Sequence, residues 1–433
     1  MKKIFILIAA IIATGGFNRI LAQTDLTLSL DEARQYAVEY NKVLKNAALA
    51  VDVADKKVWE TLSAGLPHVD ASIDYTNSLG AEIEIRFMED MPATKIPLKP
   101  TSYLSLTVGQ LIFNGSYYIG LQTARIARDL TETSFEKTEL EIREQVAMAY
   151  YSVLVAEKTV DIIMKNLDNI RDVYNKTNTM YEVGIAEITD VDQLSVQVSL
   201  LENAAKSLNR QVEMAYNLLR MQLGVSAETR ITLTESLAEI MAGIDHLATL
   251  STPLELNKNV DYQMMNAQQL LSKKQIDMEM MSCLPGITGF YSNTQKILRP
   301  DFDMIAPNLV GLQMNIPIFA SGQRKARYDQ ARINYESTLN NKALLTDQLL
   351  IQEKQLRYNL TTAVEQYESQ KENVEVSKRV YDNLNLKYQQ GLVSSLDLTT
   401  ANSNYLQSET NYITATMELL QADLALNKLL NTL

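Results

Sequence analysis

Tyr181-Glu182-Val183-Gly184-Ile185 and Tyr388-Gln389-Gln390-Gly391-Leu392 are two versions of one turn, and at the same offset of about 207 residues Asp190 meets Asp397. Upstream, Leu111-Ile112-Phe113-Asn114-Gly115 is paralleled by Pro317-Ile318-Phe319-Ala320-Ser321-Gly322, and Gly65-Leu66-Pro67 by Cys283-Leu284-Pro285. A period this long is a duplicated unit, not a solenoid of short repeats. The expected division is a first repeat over residues 23–230 and a second over 231–433, with 1–22 as a leader.

Around each turn the apolar residues fall at helical spacing. Val153, Ala156, Val160, Ile163, Leu167, Ile170, Tyr174, Thr177 and Tyr181 lead into the first turn, and Leu360, Ala363, Tyr367, Gln370, Val374, Ser377, Tyr381, Leu384 and Tyr388 lead into the second. The pattern resumes after both, from Val191 to Leu219 and from Leu398 to Leu426. Neither Pro nor, after Gly120, Gly interrupts Ser116 to Tyr181, so roughly 60 residues can run as helix for about 90 Å. Sustained heptads of this kind predict long antiparallel helices, one hairpin per repeat, over 116–223 and 322–431. The small or polar Gln370, Ser377 and Ser408 at seam positions point to shallow seams with one face toward water, or to drift within an ordinary bundle.

Before each hairpin the period drops to two. A helix over Asp31 to about Ala64 is stopped by Gly65 and Pro67. Val69, Ala71, Ile73 and Tyr75 then alternate with Asp70, Ser72, Asp74 and Thr76, a strand with one apolar and one wet face. A polar segment with Pro92, Pro97 and Pro100 separates it from Leu104, Leu106, Val108 and Ile112. The second repeat places Val310, Leu312, Met314, Ile316 and Ile318 the same way, while Pro285 to Gln295 alternates poorly. Strands are expected over 67–79, 103–113, 285–295 and 308–319. At about 10 to 13 residues each they have the length of tilted membrane-crossing strands. Tyr75, Tyr103, Phe113, Tyr291 and Phe319 near their ends suit interfacial girdles. A half-buried sheet in a soluble domain is the competing reading of any one strand. Four strands cannot close a barrel, so lipid-facing strands require several chains, and three would supply about 12.

The chain has 433 residues, two His, one Cys and a formal charge of −12. With only His68, His246 and Cys283, a His/Cys zinc centre or Cys-His nucleophile lacks partners, and a disulfide framework is excluded. No catalytic residues, metal site or cofactor are expected. The negative charge disfavours nucleic acid as partner. Met264, Met265, Met278, Met280 and Met281 fit gap-filling better than soft-metal traffic. Lys2-Lys3, the apolar run Ile4 to Ala13, and Leu21-Ala22-Gln23 read as a secretory signal. Cutting after Ala22 takes the charge to about −15. No apolar run of transmembrane-helix length follows.

The leader, the paired Leu-Pro strands, the Ile-Phe-x-Gly-like strand-to-helix junctions and the twin Tyr-x-x-Gly turns with a following Asp resemble the TolC family of outer-membrane efflux channels. The resemblance covers essentially the whole mature chain and implies an α+β membrane protein. It implies a homotrimer whose four strands per chain form a 12-stranded outer-membrane β-barrel, continued by a periplasmic α-helical barrel of coiled-coil hairpins. A mixed belt, near 225–260 and the chain ends, is implied too. The implied function is the exit duct of a tripartite efflux or type I secretion system, passively conducting substrates from an inner-membrane transporter. Outer-membrane lipid and a periplasmic adaptor are the further partners. The alternative is a periplasmic coiled-coil adaptor or scaffold without a pore. No Gly-x-Ser-x-Gly elbow or His-Glu-x-x-His helix favours a hydrolase.

The resemblance also assigns residues. Asp190 would bond Tyr388, and Asp397 would contribute to an acidic ring at the periplasmic aperture. Gly184, Ile185, Gly391, Leu392 and Ser394 would meet the adaptor. Val393 and Thr400 depart from the family pattern, standing where an Arg and a second ring carboxylate often occur, which implies a differently wired latch; Glu187 and Asp192 are extra local carboxylates. Independently of any gate, an Asp in the opening turns of a helix gains about 0.3–1 kcal/mol from the macrodipole. The glycines suit a reversal that needs positive φ.

Overall fold

A capping box opens the first helix: the Ser29 hydroxyl accepts from Glu32 N while the Glu32 carboxylate accepts from Ser29 N, satisfying two otherwise orphaned donors. The computed structural model describes residues 25–86, 94–299 and 305–433, so the expected leader 1–22 and Pro92 lie outside the described residues. Strand β1 (Leu26–Leu28) leads into α1 (Leu30–Tyr40) and α2 (Lys42–Ser63). Strands β2 (His68–Thr76), β3 (Glu82–Ile85), β4 (Thr94–Pro97) and β5 (Thr101–Phe113) follow, then the first hairpin, α3 (Gly115–Glu182) and α4 (Ile188–Leu223). A short connecting region holds β6 (Ile231–Leu233), α5 (Leu237–Gly243), α6 (His246–Ser251) and a 3₁₀ turn (Leu256–Lys258). The second repeat runs through α7 (Val260–Met281), β7 (Gly286–Leu298), β8 (Asn308–Asn315), α8 (Gln323–Gln389) and α9 (Ser395–Leu430). No described helix is long and apolar enough to cross a membrane.

The described chain divides into two compact units. One takes in the described part of Met1–Lys45, with Thr138–Leu254 and Gln352–Leu433. Its largest core gathers Ala33 and Ala37 of α1, Val146, Tyr150 and Val153 of α3, Leu219 and Leu223 of α4, Leu237 and Ile240 of α5, and Leu420 and Leu424 of α9. Each fully buried Leu contributes about 1.5–3 kcal/mol of apolar transfer. β1 pairs with β6 in parallel, joining the start of the chain to the connecting region. Arg357 fastens that region to α8, donating to the Thr252 carbonyl at 2.6 Å and to the Leu250 carbonyl. α4 ends at Gly224, whose φ of 73° is left-handed and whose Cα faces the Tyr40 carbonyl so closely that an added Cβ would stand 2.5 Å from it.

The other unit, Asn46–Lys137 and Glu255–Ile351, contains a four-stranded antiparallel sheet in the order β2-β5-β7-β8. Its register sorts the faces. Val69, Val108, Tyr291 and Val310 share one row, and Ile73 and Leu104 face the same side. The opposite side carries Asp70, Thr107 and Ser292 in one row and Ser72, Ser105 and Thr294 in the next. There Ser105 bonds Thr294 at 3.2 Å and Thr107 bonds Ser292 at 3.1 Å. The apolar side is uncovered in the single chain: Val310 is 80% exposed and Leu312 75%. Such a two-faced sheet suits lipid on one side and water on the other. Both edges, β2 and β8, are open.

Several elements differ from the sequence-based expectation. The helix over 31–64 breaks at Asn41, whose Oδ1 accepts from Val43 N at 2.8 Å to restart it and whose Nδ2 donates to the Gln222 carbonyl at 2.6 Å. The polar segment after β2 holds a hairpin, β3 with β4, that its prolines concealed. The strand expected to reach Phe319 ends at Asn315, just before Pro317, which has no N–H for a ladder. β7 is a full strand despite its weak alternation because Asn293 and Gln295 stand on the otherwise apolar side.

Candidate functional site

The two hairpin turns close by the same hydrogen bonds. In the first, Gly184 N donates to the Tyr181 carbonyl at 2.9 Å and Ile185 N to the Met180 carbonyl at 2.8 Å; in the second, Gly391 N donates to Tyr388 and Leu392 N to Lys387, both at 2.9 Å. This is the Schellman closure, which needs a left-handed residue, and Gly184 (φ 78°) and Gly391 (φ 71°) supply it. Nothing lies within 4 Å of a Cβ at either glycine, so backbone conformation alone requires them. The residue after each is a bare aliphatic: Ile185 is 76% exposed and Leu392 68%. Val183, Ile188 and Leu396 extend the exposed apolar surface of the turns.

Behind the turns lies a second core of Ile163, Leu167, Ile170, Val173, Leu194, Leu201, Tyr381, Tyr388 and Leu398, with Val393 packed against its edge. Val393 therefore contributes apolar contact at this point. Tyr381 stacks on Tyr405 with centroids 5.9 Å apart, and burial pushes the Tyr381 hydroxyl above its ordinary pKa. Ser377 and Ser408 bond across α8 and α9 at 2.9 Å, so these seam residues satisfy one another.

The residues expected at the aperture, Asp190, Tyr388 and Asp397, lie near the turns with partners other than those expected. Asp190 does not bond Tyr388. The Ser395 hydroxyl donates to Asp190 Oδ1 at 2.5 Å, and the Tyr388 hydroxyl bonds Thr177 Oγ1. Tyr388 lies before the second turn, with its ring in the apolar core and its hydroxyl opposite α3. Asp190 lies past the first turn, opposite the start of α9. Asp397 is the N3 partner of the N-cap Ser394 in the capping box of α9: its Oδ2 accepts from the Ser394 hydroxyl at 2.7 Å and from Ser394 N at 3.2 Å, while Ser394 Oγ accepts from Asp397 N at 3.1 Å. Thr400 turns its hydroxyl back to the Leu396 carbonyl, and Glu187 accepts from Thr189. Asp192 lines a groove of about 720 Å³ between the starts of α4 and α9, with Thr189, Gln193, Val196, Leu396 and Thr400.

Sequence reasoning missed Thr177 and Ser395 as partners, and also Asn166 and Asn402. Both asparagines are buried, and they exchange amide hydrogen bonds at 2.9 and 3.2 Å between α3 and α9. Asn166 falls off the apolar series, between Ile163 and Leu167, so the period gave no signal for this pair. Asn402→Leu, which leaves the Asn166 amide buried and unpaired, is expected to cost about 1–3 kcal/mol, read as a lowered melting temperature. Asn166→Leu/Asn402→Leu should recover most of it.

Among the described residues no group of three or more His, Cys, Asp or Glu is arranged to hold a metal ion. His68 lies 3.6 Å from Asp70, and His246 lies 3.5 Å from Asp423.

A family model described as outer membrane efflux protein matches residues 33–225 and 253–432. The chain is 23% identical over 468 residues to the outer membrane protein TolC of Escherichia coli (strain K12), covering all of this chain and 90% of that one. The fold is similar to the crystal structure of VceC from Vibrio cholerae, with a TM-score of 0.72 at 14% identity, covering 93% of this chain and 95% of the other. It is also similar to the open state of the MtrE outer membrane channel of Neisseria gonorrhoeae, with a TM-score of 0.72 at 16% identity, covering 93% and 88%.

Proposed function

The chain belongs to the outer membrane efflux protein family, and from that premise we propose that it works as the exit duct of a tripartite efflux or type I secretion system. Three copies pool their four strands into a 12-stranded barrel in the outer membrane, and the paired helical hairpins line a tunnel through the periplasm. The duct is a passive conduit and not an enzyme. An inner-membrane transporter supplies substrate through a periplasmic adaptor. Gly184, Ile185, Gly391, Leu392 and Ser394 form the surface the adaptor meets, and Asp190, Tyr388 and Asp397 belong to the aperture at the same end of the hairpins.

The observation that carries this reading is the two-faced sheet with open edges. A periplasmic scaffold has no use for a largely apolar, uncovered face backed by a hydroxyl ladder, whereas lipid on one side and a water-filled lumen on the other account for both. Reconstituting the purified protein in planar bilayers tests it. Ohmic single-channel steps are expected, and their absence from correctly inserted trimers would sink the channel reading.

Asp397 carries two roles in this account. Asp397→Ala removes the carboxylate half of the α9 capping box while Ser394 Oγ keeps its bond from the residue-397 N–H, at a cost of about 0.3–1 kcal/mol, and removes one carboxylate per chain from the aperture. The expected result is a higher resting conductance or weaker block by divalent cations. Unchanged currents with lowered thermal stability would leave Asp397 as a cap alone.

A further inference from the structure

A cavity of about 380 Å³ lies within the helical unit, walled by α1, α3, the connecting region and α9. No residue of the hairpin turns lines it. Its volume is that of a small-molecule site, a class that begins at about 300 Å³. Leu30, Ile240 and Leu424 give it apolar wall, and the charged lining is Asp31, Glu235, Glu239, Asp245 and Asp423 with Arg34. Although the acids predominate, no three of the described ones are arranged to hold a metal ion.

Most of these carboxylates are already engaged. Glu235 Oε2 accepts from Leu30 N at 2.6 Å, Glu239 Oε2 from Ser236 N at 2.8 Å and Asp245 Oδ1 from Ala248 N at 3.0 Å. The Asp31 side chain is 92% exposed and takes one Arg34 terminal nitrogen at 3.4 Å. Asp423 differs. It is only 6% exposed, and its Oδ2 accepts from Asn427 Nδ2 at 2.8 Å, but its Oδ1 is buried without a hydrogen-bond partner. His246 Nδ1, 3.5 Å from that oxygen, makes no hydrogen bond with it. On α1, Arg34 Nε is buried and unpaired as well. Tyr151 stands close to both charges. Burial pushes its hydroxyl up to about 12, with Arg34 opposing the rise and Asp423 adding to it, so it keeps its proton at neutral pH.

These uncommitted groups define what would satisfy them. Asp423 Oδ1 needs an N–H donor, best a cationic one, while Arg34 Nε and the Tyr151 hydroxyl need an acceptor, best an anionic one. A lone anion is repelled by the surrounding carboxylates, and a lone cation leaves Arg34 Nε unpaired. A molecule carrying both charges on one small frame meets neither penalty. We propose that this cavity is a binding site for a free aliphatic α-amino acid: its ammonium meets Asp423 Oδ1, its carboxylate meets Arg34 Nε and the Tyr151 hydroxyl, and its side chain packs on Leu30, Ile240 and Leu424. The walls come from both repeats, so the bound molecule ties α1 and α3 to α9. The site goes beyond the duct reading and does not depend on it, because every lining residue belongs to the one helical unit.

Titration calorimetry of the purified full-length protein in detergent, with leucine as the probe, tests the assignment. One saturable site per chain is expected, with a melting temperature that rises as leucine is added. Isoamylamine keeps the ammonium alone and isocaproate the carboxylate alone, and each should bind about tenfold more weakly or worse. Tyr151→Phe, which keeps the ring, should weaken leucine about tenfold and leave isoamylamine unchanged. Asp423→Asn, of nearly the same shape, should weaken leucine and isoamylamine about tenfold while isocaproate binds no worse. Should Asp423→Asn fail to fold, the Tyr151→Phe contrast between the two probes decides alone. Absence of saturable leucine binding overturns the proposal, and so does isoamylamine binding as tightly as leucine or losing as much in Tyr151→Phe. A protein that binds leucine but gives no ohmic steps in bilayers overturns the duct reading and leaves this site standing.

Discussion

Val310→Arg is expected to prevent the protein from assembling in the outer membrane while leaving the fold of the isolated chain nearly unaffected. Val310 is 80% exposed in the single chain, so its replacement removes almost no internal packing. On a protein that met only water at this face, the change would fall within about 0.5 kcal/mol. Facing lipid, an Arg costs about 2–4 kcal/mol near the bilayer midplane, and the proposed three-chain barrel would incur that cost three times. Its row neighbours Val69, Val108 and Tyr291 offer the guanidinium no anionic partner. The measurement is the yield of heat-modifiable trimer in outer-membrane fractions. Wild-type yield would mean that this face of the sheet does not meet lipid.

Gly224→Ala should be the most damaging small substitution in the helical unit. The left-handed φ of 73° costs a non-glycine residue about 1–2 kcal/mol, and the new Cβ, 2.5 Å from the Tyr40 carbonyl, forces a backbone shift costing about 1–3 kcal/mol more. The contact it opens is the one Asn41 secures through the Gln222 carbonyl, where α1 and α2 meet the end of α4. Thermal unfolding should show a loss of several degrees or more. Gly184→Ala, with the same sign of φ but open space around it, should lose distinctly less. Equal losses at the two sites would mean that the clash at Gly224 relaxes freely.

The turns and the two-faced strands were legible because each rests on a local period, and the duplication because similar segments recur at one offset. Tyr181 to Ile185 and Tyr388 to Leu392 announce themselves by repetition, and Val69 to Tyr75 by alternation. What escaped depends on pairings that period does not encode. The Ser395–Asp190 and Tyr388–Thr177 bonds join residues 205 and 211 apart, and no spacing rule says which polar residue of one hairpin meets which of the other. The resemblance to a family paired Asp190 with Tyr388, whereas each bonds a different residue of the other hairpin. β7 was hard to read because its outer face is mixed: Asn293 and Gln295 lie across from Leu106 and Leu104. The helix over 31–64 looked continuous because Asn41 re-caps the chain within one residue, too briefly to disturb the apolar spacing.

The open edges of β2 and β8 have a genetic consequence. In the proposed three-chain barrel each chain's sheet is completed only by its neighbours, so one subunit with a spoiled β8 leaves an unpaired edge in the whole ring. In a cell expressing sound and spoiled chains equally, three-chain assemblies drawn at random would be wholly sound in about one case in eight. Such an allele should therefore be dominant, poisoning the product of the intact gene, whereas a null allele that makes no chain should be recessive.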